Sequence, residues 1–281
     1  MLDRASPPAI VKAMADEIIF LGTGGARIVV FKQIRASGGI WLSLAQKNIL
    51  IDPGPGSLVR LTSNRNNLDP TRLDAVLLSH RHLDHSADIN SIVEAITEGG
   101  LKKRGKLFTP EDALENDDPV VLRYLRGFLD EIIILKEGQS YSLDTVSFST
   151  PIRHQHRGET YGFLFKTEKI KIAYIADTRY FEALAQAYQA DLVIFNVIRL
   201  DPAPFDHLTI PDVKELMKKI KPRLAVLTHF GMSFIKAKPW EVAAQVEAET
   251  GIKTIAARDG MKLSLEDIEN VRRETGKVKG Q

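Results

Sequence analysis

Four apolar runs in this chain each stop at an aspartate or a histidine. The run at 47–52 closes on Asp52, and Ala75-Val76-Leu77-Leu78 gives way to Ser79-His80. Residues 170–175 reach Ala176-Asp177, and Leu224-Ala225-Val226-Leu227 leads to Thr228-His229. Short apolar runs alternating with segments of helical periodicity read as buried strands of an α/β fold. In such folds the groove beyond the strand ends is where ligands bind. An unpaired carboxylate at the end of a buried strand is costly, so these groups are expected to meet partners there.

The stretch Ser79-His80-Arg81-His82-Leu83-Asp84-His85 holds three of the chain's seven histidines. The apolar run before it reads as a strand; after it, apolar residues at 89, 92, 93 and 96 keep helical spacing. Alternation along an extended segment puts His80, His82 and Asp84 on one side and leaves His85, at the helix start, on another. That division suits two metals better than one. A solitary histidine is most often a core or surface residue; three with an aspartate at one strand end point to a metal site. The chain has no cysteine, so nitrogen and oxygen must supply every ligand.

Two further stretches carry histidines. Arg153-His154-Gln155-His156-Arg157 follows a strand at 145–149, and His207-Leu208-Thr209 precedes a helix starting near Pro211. Thr209 reads equally as that helix's cap. The loop Gly22-Thr23-Gly24-Gly25 follows a strand but lacks a nucleotide-loop pattern; its glycines are expected to let backbone pass close to the site.

The H-x-H-x-D-H pattern at 80–85 resembles the signature of the metallo-β-lactamase superfamily, whose fold is a four-layer αββα sandwich. Phe20-Leu21-Gly22-Thr23-Gly24-Gly25 resembles the opening of its phosphodiesterase branch, which includes the tRNA 3′-processing nucleases. Carried over position by position, the resemblance gives a first metal to His80, His82 and His156. It gives a second to Asp84, His85 and His229, with Asp177 bridging and a hydroxide between the metals as nucleophile. Asp84 and His207 become the candidate catalytic residues, and Asp52 supports the ligands from behind. In these phosphodiesterases the ligand histidine stands about six residues before a Tyr-Gly-aromatic strand. His156, six before Gly162, fits; His154 is left to support the site or to lie on the surface. The 207–209 element resembles a His-Ser-Thr-like element lying over the scissile phosphate, where a histidine stabilises charge or protonates the leaving oxygen.

The resemblance therefore implies a metal-dependent hydrolase with two divalent ions, Zn²⁺ or Mn²⁺, with iron also compatible. Phosphodiester hydrolysis is the first expectation, and a lactonase or carboxyl-ester hydrolase on the same scaffold is the alternative. The long Gly/Pro-rich arm with which tRNA nucleases grip tRNA has no visible counterpart. The expected substrate is a small phosphodiester such as a cyclic phosphate, with RNA ends left open. Lys and Arg number 38 against 36 Asp and Glu, a balance that announces no nucleic-acid partner. The basic run Lys102–Lys106 is expected to be a solvated face. No membrane is expected, the cytoplasm is the expected compartment, and a homodimer is compatible.

The expected organisation is a leader at 1–16, one hydrolase domain at 17–270 and a loose polar tail at 271–281. Within the domain, Ile28-Val29-Val30-Phe31 reads as a strand and 85–98 as one helix. Further helices are expected at 111–115, 119–127, 179–188, 211–220 and 240–249.

Overall fold

The computed structural model describes residues 15–63 and 66–275. The strands, in chain order, are β1 (Glu17–Phe20), β2 (Ile40–Leu44), β3 (Lys47–Ile51), β4 (Ala75–Leu77), β5 (Lys106–Thr109), β6 (Glu131–Ile134) and β7 (Gln139–Leu143). They continue as β8 (Val146–Thr150), β9 (Phe163–Lys166), β10 (Lys171–Ile175), β11 (Leu192–Arg199), β12 (Leu208–Thr209), β13 (Leu224–Thr228), β14 (Thr254–Ala256) and β15 (Met261–Ser264). One sheet has the order β15-β1-β2-β3-β4-β5-β6. The other runs β14-β13-β11-β10-β9-β8-β7, with β12 beside β11. In the first sheet β3 to β6 are parallel; in the second β10, β11, β13 and β14 are.

Alternation along these strands sorts the side chains into layers. Ile18, Phe20, Ile49, Ile51 and Leu77 of the first sheet share one core with Phe163, Phe165, Ile172, Tyr174, Ile194 and Val226 of the second. The intervening residues point outward. Ile19, Leu50, Val76 and Leu107 pack on Ile89, Ile92, Val93 and Ile96 of the helix Ile89–Ile96. Ala173, Ile175, Val193, Phe195 and Leu227 meet Val213, Leu216 and Met217 of the helix Ile210–Ile220. The result is a four-layer αββα sandwich. Strands buried on both faces read as unbroken apolar runs, and these do.

Several elements depart from the sequence reading. Residues Arg27–Phe31 form a helix instead of a strand. Ala26 takes a left-handed φ of 62° and turns the chain out of the sheet, so only Val29 is buried while Phe31 is exposed. The helix expected at 85–98 is two, Leu83–Ser86 and Ile89–Ile96. Asp88 separates them: its N–H donates to Pro53 O (2.9 Å), and its carboxylate accepts from Leu58 N (3.0 Å). The helix expected at 179–188 is confined to Ala183–Ala187, because Thr178 and Arg179 bond to Gln155 instead. At 119–127 the helix shrinks to Arg123–Arg126, and at 111–115 to a 3₁₀ turn, Glu111–Ala113. The tail is not loose from 271: the helix Leu265–Thr275 continues past that point, anchored by Leu265 and Ile268 in the central core. Residues 1–14 of the leader and 276–281 of the tail lie outside the described residues.

The basic run is built into the surface. Lys102 pairs with Glu98 (2.6 Å) and Lys106 with Glu131 (2.8 Å), while Arg104 donates to the carbonyls of Thr71 and Leu73.

Candidate metal centre

The parallel strands of both sheets deliver the ionisable groups to one place. Asp52 follows β3, Ser79-His80 follow β4, Asp177 follows β10, and His229 follows β13. Two of them leave their strands in the left-handed region, Asp52 at φ 51° and His229 at φ 63°, a conformation non-glycine residues rarely hold without a constraint.

Three histidines converge first. His80 Nε2 and His156 Nε2 lie 3.0 Å and 3.1 Å from His82 Nδ1. The outer bonds fix their tautomers. Ser79 Oγ donates to Asp52 Oδ2 (2.7 Å), so it accepts from His80 Nδ1 (3.0 Å). His156 Nδ1 donates to Asp206 O (2.8 Å). Both Nε2 atoms thus turn lone pairs inward. Burial, reinforced by neighbouring imidazoles, holds His80 well below the usual histidine range, His82 at about 4, and His156 below its ordinary value. His82 Nδ1 can donate to only one of these two acceptors at a time, whereas a cation between the three nitrogens would satisfy all of them. Four-coordinate zinc at about 2.0–2.1 Å from each nitrogen would space them about 3.3 Å apart.

A second group lies beside the first. Asp84, His85 and His229 bring donor atoms together, with His229 Nε2 3.6 Å and His85 Nε2 3.9 Å from Asp84 Oδ2. The nitrogens His85 Nε2 and His229 Nε2 are buried and have no hydrogen-bond partner among the described residues. Asp177 sits between the groups. Its Oδ1 accepts from Asn196 Nδ2 (2.9 Å), while Oδ2 faces His207, His229 and His85 Nε2 at 3.2, 3.4 and 3.5 Å. Asp177 also belongs with His80 and His85, and with His156 and His207, as donor groups. Burial opposes its ionisation, but His229, His85 and His207 outweigh it and hold its carboxyl far below the carboxylate range. For His85, burial is outweighed by Asp177, Asp52 and Asp84, which raise its pKa strongly. Without a cation His85 takes a proton, and a divalent ion would displace it. Orphaned buried nitrogens, inward lone pairs and a central carboxylate together fit divalent metal ions.

Alternation therefore fails in one respect: Asp84 joins His85 and His229, not His80 and His82. The turn into the helix Leu83–Ser86 rotates it away. Of the competing pair, His156 reaches the first group and His154 does not. His154 lies behind it, fully buried, Nδ1 3.3 Å from Asp177 O and Nε2 2.8 Å from Tyr188 OH. Thr209 begins the helix Ile210–Ile220, its N–H and hydroxyl both donating to Asp212.

Asp52 binds the back of the centre together. Its carboxylate accepts from Ser79 N (2.7 Å), Ser79 Oγ (2.7 Å), His85 Nδ1 (2.9 Å) and Tyr174 OH (2.8 Å). Asn196 then links Tyr174 (3.1 Å) to Asp177. Ser79, Tyr174 and Asn196 were not anticipated; neutral polar residues within apolar strands, or just past one in the case of Ser79, are the signal that could have found them. The glycine loop closes the other side. A Cβ on Gly25 would come within 2.4 Å of the His229 ring. Asp259 pins the loop by accepting from Thr23 N (3.0 Å), Thr23 Oγ1 (2.7 Å) and Ala36 N (2.9 Å).

Burial lowers His154 from 6.5 to about 4. Its contribution to stability is complete above the unfolded value and is lost as pH falls through the folded one. The metal-free protein should lose roughly 3 kcal/mol from this group between pH 6.5 and 4. Urea titrations across that window should show a shallower decline in His154→Gln, which keeps a donor and an acceptor but does not titrate.

Similarity to known proteins follows the same residues. A family model described as "Beta-lactamase superfamily domain" matches residues 47–230. The chain is 34% identical over 262 residues to an uncharacterized protein of Methanocaldococcus jannaschii, covering 90% of this chain and 96% of that one. It is 26% identical over 296 residues to ribonuclease Z 1 of Schizosaccharomyces pombe, covering 90% of this chain but only 35% of that longer protein. Among solved structures, the metallo-beta-lactamase fold protein YhfI of Bacillus subtilis superposes with a TM-score of 0.74 at 18% identity, over 89% of this chain and 99% of that one. The matched span starts at β3, the strand that Asp52 follows, and runs to the residue after His229, so the chain belongs to the β-lactamase superfamily and carries its metallo-β-lactamase fold.

Proposed function

We propose that this protein is a metal-dependent phosphodiesterase that holds two divalent cations, Zn²⁺ or Mn²⁺. His80, His82 and His156 would hold the first, Asp84, His85 and His229 the second, and Asp177 would face both. Such cations neutralise phosphoryl oxygens and acidify a water toward neutral pH. The observation that carries the choice of phosphodiester is His207. Its Nε2 lies 3.2 Å from Asp177 Oδ2, on the His156 side of the centre. Burial opposes its protonation, yet the bond to Asp177 and the charges of Asp177 and Asp84 raise its pKa. A proton held at that rim is placed to pass to a leaving oxygen. The S. pombe relative is a ribonuclease, an activity on the same bond type, which supports this choice.

Cyclic phosphates and other small phosphodiesters are the favoured substrates, with RNA 3′ ends second. The cytoplasm is the proposed compartment; among the described residues no helix is long and apolar enough to cross a membrane. The test is a parallel assay of metal-reloaded protein on bis(p-nitrophenyl) phosphate, a nucleoside 2′,3′-cyclic phosphate, a 3′-extended RNA and a set of lactones, with metal analysis. Hydrolysis confined to lactones and independent of His207 would favour the alternative, a lactonase on the same donor groups.

The two-cation reading makes Gly25 informative. In Gly25→Ala the new methyl must displace the His229 ring, which belongs to the second donor group and not to the His80, His82 and His156 set. Bound metal should fall from about two equivalents per chain to about one, measured by mass spectrometry of desalted protein. Retention of both equivalents would contradict separate sites.

A further inference from the structure

The loop between β11 and β12 does more than carry His207. Asp206 O accepts from His156 Nδ1 (2.8 Å), and His207 N donates to Phe205 O (2.8 Å). Residues 205–207 are thus drawn against the centre, and two peptide steps keep the Phe205 and His207 Cα atoms within about 7.6 Å. Phe205 is 53% exposed, unusual for a phenylalanine in a segment so tightly tied down. One face of its ring is occupied, with the Arg199 guanidinium 4.4 Å from the centroid. That guanidinium has no ion pair or hydrogen bond among the described residues.

We propose that Phe205, braced by Arg199, is a stacking platform for a planar nucleobase, so that the centre acts on phosphates carrying a nucleoside. The inference rests on the phosphodiesterase reading and narrows its substrate class. A guanidinium against one face flattens and fixes the ring, leaving the other face for a π-surface, which every base offers. The separation from His207 is one that a ribose bridges between a phosphate at the centre and its base. The free donors of Arg199 suit the sugar or phosphate oxygens of the same ligand. A structural role explains this pair less well, since neither residue joins the three apolar cores.

The experiment reads binding, so it does not depend on turnover. Calorimetric titration of metal-loaded protein with AMP and with ribose 5-phosphate separates the base from the phosphate. AMP should bind the unaltered chain roughly tenfold more tightly than ribose 5-phosphate. The ratio of AMP to ribose 5-phosphate affinity should fall to about one in Phe205→Ala and persist in Phe205→Trp. Equal affinities in the unaltered chain, or a preference that survives Phe205→Ala, overturns the platform. Absence of diester hydrolysis with the AMP preference intact would instead count against the phosphodiesterase reading alone.

Discussion

Asp177→Asn is expected to empty most of the centre of metal and to lower phosphodiester turnover by at least about 10⁴-fold. The carboxylate is 2% exposed and meets both donor sets, grouping with His80 and His156 of the first and with His85 and His229 of the second. Its Oδ2 lies 3.2–3.5 Å from three imidazole nitrogens. Asparagine keeps the size and, through one amide atom, the contact with Asn196, but it removes the charge. Whichever amide atom turns inward, the site is left with nitrogens and at most a weak carbonyl donor where an anion stood. Desalted variant analysed for metal, followed by steady-state kinetics with excess Mn²⁺, separates lost affinity from lost chemistry. Full metal content with near-normal turnover would remove Asp177 from the centre.

His207→Ala should behave differently. Turnover is expected to drop by about 10²–10⁴-fold while both metal equivalents stay bound. The geometry leaves a rival role open to test, because His207 Nε2 is close enough to Asp177 and His156 to serve as a metal donor; metal content decides between them. The pH profile adds a second criterion. A group that gives up a proton works only while protonated, so activity should fall as pH rises through its value. That value is raised in the metal-free protein; in the metal-loaded enzyme the alkaline limb, wherever it falls, should vanish in the variant. Loss of metal together with loss of turnover would reassign His207 as a ligand.

The strand-end residues were legible because an ionisable group closing an apolar run is improbable unless something meets it there. Asp52, His80, Asp177 and His229 all announced themselves this way, and the interleaving of apolar runs with helical segments gave two sheets flanked by helices, the four-layer arrangement itself being what the family resemblance implied. The supporting network was not legible. Ser79, Tyr174 and Asn196 are uncharged, and nothing in the spacing shows that they form one chain of hydrogen bonds from Asp52 to Asp177. Asp259 stands 236 positions from the Thr23 it holds, beyond any local pattern. The helix at 27–31 was misread because four apolar, partly β-branched residues favour a strand; the deciding factor was the turn at Ala26, which leaves them nothing to pair with. The break at Asp88 was set by the distant backbone of Pro53 and Leu58.

The two backbone turns at Asp52 and His229 carry a consequence for how this fold can change. Each is a shape that glycine adopts without effort, and His229 also keeps a nitrogen away from water without a hydrogen-bond partner among the described residues. Robustness and purpose therefore pull against each other at these positions. Variants chosen only for heat tolerance without added metal would drift toward glycine at 229, trading the centre for a more relaxed chain.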